Sequence, residues 1–259
     1  MLQDNEIEEL EKKYFNVLVD LISKNLGRIL TQISSQKLYK NLTETQKANL
    51  IDHSVENILE QIIATNLNWS IASLPVSADS CYECGDAVIH LDAKTTLITD
   101  PSYTSKTINI EASQTTFDSS KEILFGDGDC WQPKLKHYEE HNFFGKIPNL
   151  TYIIYIYYYD NFVEEISLVC LPHGQLCEKF TEEGNSALIL NKGKSLLDIP
   201  GKTYKKCSNV RFSVKEIIKK ASWRDKLLFK INHPEGYIPP EKNNKKTSSK
   251  KKNKEDVNE

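Results

Sequence analysis

No apolar run in this chain approaches the roughly 20 residues that a membrane-spanning helix needs. The best candidate, residues 150–159, is short and rich in tyrosine, so no membrane role is expected. Residues 1–9 carry acids where an export signal would carry Lys or Arg ahead of an apolar stretch, and the expected location is the cytoplasm. Cysteine is scarce as well. Six in 259 residues are too few for a disulfide scaffold, and in a reducing compartment they stay as thiols. Cys170 and Cys207 read as small buried apolar residues. Cys81 and Cys84 form one Cys-x-x-Cys pair, half of a zinc site unless Cys130, Cys177 or His173 completes it. A basic excess is also missing, because the formal charge is −3 where a phosphate backbone rewards clustered Lys and Arg. There is no Gly-rich phosphate loop, no Gly-x-Ser-x-Gly elbow, no kinase set and no dinucleotide fingerprint. These absences exclude most common enzyme classes.

What is present has an ordinary globular composition, 39% hydrophobic and 27% charged, in a chain long enough to bury one large core. From residue 5 to about 35, Ile7, Leu10, Tyr14, Val17, Leu18, Leu21, Ile22, Ile29 and Leu30 recur at three- and four-residue steps, the period of an amphipathic helix. A second helix is expected from Thr43, whose spacing to Gln46 suits a capping box, through Leu50, Val55, Leu59 and Ile62. The pattern then changes to short runs of β-formers at 87–93 and 107–112, separated by a turn-prone stretch at 99–104. Two more strands are expected at 150–159 and 165–171, joined near Asp160 and Asn161. A last edge strand is expected at 210–213, leading into a helix over 214–221. The organisation expected is a helical region at 1–66, a core at 67–232 with a mixed sheet, and a flexible Lys-rich tail at 233–259 that cannot bury apolar area. Although the total charge is slightly negative, Lys and Arg concentrate at 202–206, at 215–230 and in the tail, so a local basic surface is expected on the C-terminal half.

The chemistry is concentrated at residues 80–95. An apolar strand ends in Asp92-Ala93-Lys94, and alternation along a strand puts Asp92 and Lys94 on one face, about 7 Å apart. Phosphodiester hydrolysis needs an oxygen ligand for Mg²⁺ and benefits from a cation beside the attacking water or the crowded phosphate. Asp92 and Lys94 can fill those two roles. The bland alternative is a solvated ion pair on an open sheet face. His90 shares that face and reads as a packed or hydrogen-bonded histidine. Gly126-Asp127-Gly128-Asp129 lacks the spaced ligands of a calcium loop and reads as a surface turn.

At Asp92-Ala93-Lys94 the chain resembles the PD-(D/E)xK nuclease superfamily, in particular its type II restriction endonucleases, over about fifty residues within 69–118. The resemblance implies an α/β (α+β) restriction-endonuclease-like core, a mixed central sheet flanked by helices and preceded by N-terminal helices. It further implies Mg²⁺-dependent cutting of double-stranded DNA at a short sequence by a homodimer. The first acid of the motif is open. Asp79 is favoured if an antiparallel partner strand runs up to it and the chain turns near 83–85, whereas Asp86 has the more motif-like context after Gly85 but lies roughly 20 Å along extended chain from Asp92. Glu83 is a further possibility, Glu56 and Glu60 are candidates from the preceding helix, and Gln114 stands where some relatives have an auxiliary glutamine. An alternative split takes Asp92 as first acid and Glu111-Ala112-Ser113 as second half-motif, at the cost of the lysine. Base-reading side chains are expected near 134–142 and 202–211. The rival functions are a repair or processing nuclease of the same superfamily, or a non-enzymatic interaction protein.

Overall fold

The amphipathic N-terminal pattern closes into α1 (Asp4–Ser35), which buries Ile7, Tyr14, Phe15, Leu18, Leu21, Ile22, Ile29 and Ile33 along one stripe. α2 (Glu44–Asn66) starts at the expected capping box: Thr43 accepts from the Gln46 backbone and the Gln46 side chain accepts from Thr43 N. The computed structural model describes residues 1–35, 42–72, 80–120, 122–159, 162–181, 190–193, 196–198, 200, 203 and 205–233. Asp79, the joint at 160–161, Lys202 and the tail at 234–259 fall outside these residues.

The strands are β1 (Ser70–Ile71), β2 (Ser80–Glu83), β3 (Val88–Leu97), β4 (Thr107–Glu111), β5 (Ile123–Leu124), β6 (Cys130–Trp131), β7 (Tyr138–His141), β8 (Gly145–Tyr159), β9 (Phe162–Leu171), β10 (Leu190–Lys192), β11 (Leu196–Asp198), β12 (Lys205–Cys207), β13 (Asn209–Ser213) and β14 (Asp225–Lys230). The short helices are α3 (Pro101–Ser105), α4 (Cys177–Phe180) and α5 (Val214–Lys220). Among the described residues the main sheet runs β1-β2-β3-β8-β9-β14, with β7 added to the start of β8. It is mixed, because β3 and β8 are parallel while the other neighbours are antiparallel. Both faces of β8 are covered from Ile147 to Tyr158, which is why its sequence is a nearly continuous apolar and tyrosine run. The tyrosines carry hydroxyls to both layers: Tyr152 donates to Glu11 O of α1 at 2.9 Å, and Tyr155 donates to Thr107 O of β4 at 3.2 Å. No helix is long and apolar enough to cross a membrane among the described residues.

Two sequence expectations need correction. The stretch at 99–104 is not only a turn: Asp100 caps Ser102 N and Pro101 takes the first helical position, so α3 forms there. The strand expected at the edge, β13, lies instead between β10 and β4 in a separate three-stranded sheet. The edge of the main sheet is β14, whose alternation is blurred by Lys226 and by a bulge between Leu227 and Phe229.

The deepest polar contact in the core joins Glu11, on the buried stripe of α1, to Arg224. Both side chains are 0% exposed. Glu11 also accepts from His173 N at 2.8 Å, and Arg224 stacks on Phe180 and Trp223 with its guanidinium carbon 4.7 and 4.5 Å from the ring centres. Burial pushes the His173 imidazole down to about 4; the neutral ring donates from Nε2 to His137 O at 2.8 Å and accepts from Gln175 N on Nδ1.

Candidate active site

β3 positions the site. Its alternation sends Ile89, Leu91, Ala93 and Thr95 toward the helices, where Thr95 Oγ1 donates to Ala48 O of α2 at 3.3 Å. His90, Asp92, Lys94 and Thr96 take the opposite face. There the Asp92 carboxylate is 1% exposed and meets the Lys94 ammonium at 2.8 Å, while the lysine side chain remains 24% exposed. The bland alternative, a solvated pair on an open face, is therefore not what forms: one partner is fully enclosed and the other leads out to solvent.

A third side chain completes the arrangement. Gln114 Nε2 donates to Asp92 Oδ1 at 3.0 Å, and Gln114 Oε1 accepts from Glu111 N at 2.9 Å. The amide is thus anchored at one end by the backbone where β4 ends, and at the other it fixes the rotation of the carboxylate, leaving Oδ2 facing Lys94. Glu111, the alternative second acid, contributes this backbone N–H beside the site and keeps its own side chain exposed.

His90 is 0% exposed and is held by Asn149 Oδ1 at 2.8 Å through Nε2. The Asn149 amide donates to Lys136 O at 3.0 Å, so its oxygen is the atom facing the ring and Nε2 carries the proton. Burial pushes this imidazole below its ordinary value.

The upstream acids separate. Asp86 sits in the turn before β3, ion-paired with Lys13 at 2.5 Å and hydrogen-bonded by the Tyr14 hydroxyl. Burial works to raise its pKa, but Lys13 and Tyr14 hold the carboxyl below the ordinary value. Asp86 is roughly 20 Å along the strand from Asp92, and its contacts are to α1. Glu83 pairs with His141 at 2.6 Å. Glu56 pairs with His53 at 3.0 Å, and Glu60 accepts from the Ser80 hydroxyl at 3.2 Å. Ser80 is registered opposite Leu91, the residue before Asp92, and so belongs to the helix-side face. Asp79, its neighbour in sequence, lies outside the described residues.

Mg²⁺ binds through one or two carboxylates and leaves its remaining positions to water and substrate phosphates. Asp92, an enclosed carboxylate beside a lysine that reaches solvent, fits that use. Among the described residues no zinc ligand set forms around the Cys81 and Cys84 thiols. Burial pushes Cys81 up to about 12 and raises Cys84, and among the described residues no group of three or more His, Cys, Asp or Glu side chains could hold a metal ion.

Two solved structures share this architecture. The restriction endonuclease BglI, bound to its DNA recognition sequence, superposes with a TM-score of 0.66 at 15% identity over 85% of this chain and 89% of that one. Tetrameric SfiI, bound to cognate DNA, gives 0.60 at 15% identity over 87% of this chain and 85% of that one. No curated protein sequence matches the chain closely enough to be called a relative. The family model described as type II restriction enzyme MwoI, N-terminal domain, matches residues 3–162, more than half of the 259 residues, and this span contains both Asp92-Ala93-Lys94 and Gln114. The chain belongs to this family of type II restriction enzymes, and its fold is that of the restriction endonucleases.

Proposed function

We propose that the protein is a homodimeric, Mg²⁺-dependent endonuclease that hydrolyses DNA phosphodiester bonds at a short specific duplex sequence in the cytoplasm, with Asp92 and Lys94 at the active site. The observation that carries this reading is the enclosed Asp92 carboxylate, turned by Gln114 and held 2.8 Å from a lysine that opens to solvent. A divalent cation, when bound, polarises the phosphate and stabilises the leaving 3′ oxygen. Asp92 and an upstream acid, Asp79 or Asp86, would hold it. Lys94 balances the Asp92 charge when DNA is absent, and in the complex its ammonium orients the attacking water toward phosphorus. Gln114 keeps the carboxylate from rotating, so that the oxygen donor is in place before substrate arrives. Two copies are proposed because the strands of a duplex are related by a two-fold axis, and a dimer presents one active site to each.

The register of β2 on β3 supports Asp79 over Asp86, because Ser80 is paired beside the Asp92 position while Asp86 is committed to α1. Digestion of a defined plasmid with Mg²⁺ tests the whole reading. The wild type should give discrete bands, Asp79→Ala should lose cleavage by about 10²-fold or more, and Asp86→Ala should cut within a few-fold of the wild type. A smear would point to a processing nuclease. Loss in Asp86→Ala with full activity in Asp79→Ala would reverse the ligand assignment.

A further inference from the structure

The hairpin of β7 and β8 ends in a built turn that holds two phenyl rings out to solvent. Phe143 is 89% exposed and Phe144 is 61% exposed. The turn is not loose: His141 Nδ1 accepts from both Phe143 N and Phe144 N at 3.1 Å, and its Nε2 meets Glu83 Oε1 at 2.6 Å. Gly145 takes φ +72 immediately after, which closes the turn where other residues would be strained. The backbone of the tip is thus held in place, so both rings project from a fixed point, a position suited to an interface anchor.

Beside the hairpin lies a cavity of about 550 Å³ whose apolar lining is Leu2, Leu10, Phe144 and Ile147. The charges around it are Glu6, Glu9 and Asp86 against Lys13 and Lys146, three carboxylates to two ammonium groups. Lys13 and Lys146 are already paired, with Asp86 and Glu140. A rim with this balance repels phosphates, so the occupant it suits is a protein surface and not a nucleic acid. One patch thus carries a protruding apolar group and a receptor for one, with lysines and acids on the same rim. A two-fold contact requires that self-complementarity, because each copy must offer what the other receives.

We infer that the β7–β8 hairpin is the contact through which two copies of this chain associate, Phe143 of each copy entering the cavity beside Phe144 of the other. This rests on the dimer of the proposed function and locates it. The tip sits by the turn before β3, where Phe144 Cε2 would lie 3.6 Å from a β-carbon on Gly85, roughly 20 Å from Asp92, so the contact leaves the active site open.

Sedimentation equilibrium of the full chain without DNA tests the inference. The wild type should be a dimer at micromolar concentration, and Phe143→Asp should raise the dimer dissociation constant on the order of 30-fold or more. Phe143→Ala should act in the same direction without adding charge. Because each copy donates one ring, a mixture of wild type and Phe143→Asp should form a mixed dimer of intermediate affinity. An unchanged dissociation constant in Phe143→Asp would overturn the assignment, as would a wild type that is monomeric at 100-fold higher concentration. An unchanged dimer that loses DNA affinity would overturn it too, and would give the hairpin to the duplex. Mg²⁺-dependent cleavage by the wild type, measured in parallel, shows separately whether the nuclease reading stands.

Discussion

Lys94→Gln should lose DNA cleavage by about 10³-fold at neutral pH while binding duplex within a few-fold of the wild type. The ammonium lies 2.8 Å from Asp92 Oδ2 and is the only part of the pair with access to solvent, so it is the group that can meet the attacking water. Glutamine keeps a hydrogen-bond donor of similar reach but no charge. Removing one member of a buried ion pair costs about 3–5 kcal/mol, and the partial exposure of Lys94 reduces this to roughly 1–2 kcal/mol. A chain of this size should then melt no more than about 8 °C lower, leaving a folded protein whose lost activity is chemical. Gel-shift affinity and single-turnover rates separate the two effects. A variant that binds poorly and cuts normally once bound would mean that Lys94 is a phosphate anchor and not part of the chemistry.

The largest stability effect should come from the other end of the molecule. Arg224→Met leaves the Glu11 carboxylate enclosed without its counter-charge, and the cost should be about 3–5 kcal/mol, a fall in melting temperature of about 10 °C or more. Burial drives this carboxyl toward its neutral form, and the guanidinium, charged at every accessible pH, opposes that. The pair joins α1 to the short turn that leads into β14, between residues 213 apart in the chain, so its loss loosens the helix from the sheet. Glu11→Leu combined with Arg224→Met should recover most of the loss, because two apolar side chains leave no charge to solvate. Thermal melts of the two single variants and the double variant check this. Equal destabilisation in the double and the Arg224→Met variant would mean that the stacking of Arg224 on Phe180 and Trp223 matters more than the charge pair.

Periodicity made α1 and α2 legible in the sequence, because each has one face whose burial imposes a period that local chemistry does not disturb, while β3, buried on both faces over its first six residues, was marked by a run of β-formers. Thr43 and Gln46 announced the start of α2 for the same local reason. Asp100-Pro101 carried an equally local helix signal, a capping acid followed by proline at the first helical position, hidden inside a polar stretch that reads first as a turn. β14 escaped because edge strands carry charges, here Lys226 and Lys230, that break the alternation a strand normally shows.

The site divides in the same way. Asp92 and Lys94 are two residues apart, so the geometry of one strand joins them. Gln114 is 22 residues from Asp92, and only the closure of β4 over the sheet brings its amide to the carboxylate. Position in the chain made it a candidate, but nothing local could reveal the contact. Glu11 carried a signal that was available: an acid four residues after Ile7 and three before Tyr14, on the apolar stripe itself, needs a buried partner. Its partner could not be read, because no sequence rule links positions 11 and 224.

Whether the enclosed carboxylate of β3 performs the cutting is decided by Asp92→Asn under single-turnover conditions with Mg²⁺ and a DNA duplex that the wild type cleaves. The substitution keeps the shape of the side chain and an oxygen that can accept from Gln114, and replaces the oxygen facing Lys94 by an uncharged amide nitrogen. The variant should fold, and its cleavage rate should fall by about 10³-fold or more. Cleavage at the wild-type rate would remove Asp92 from the chemistry.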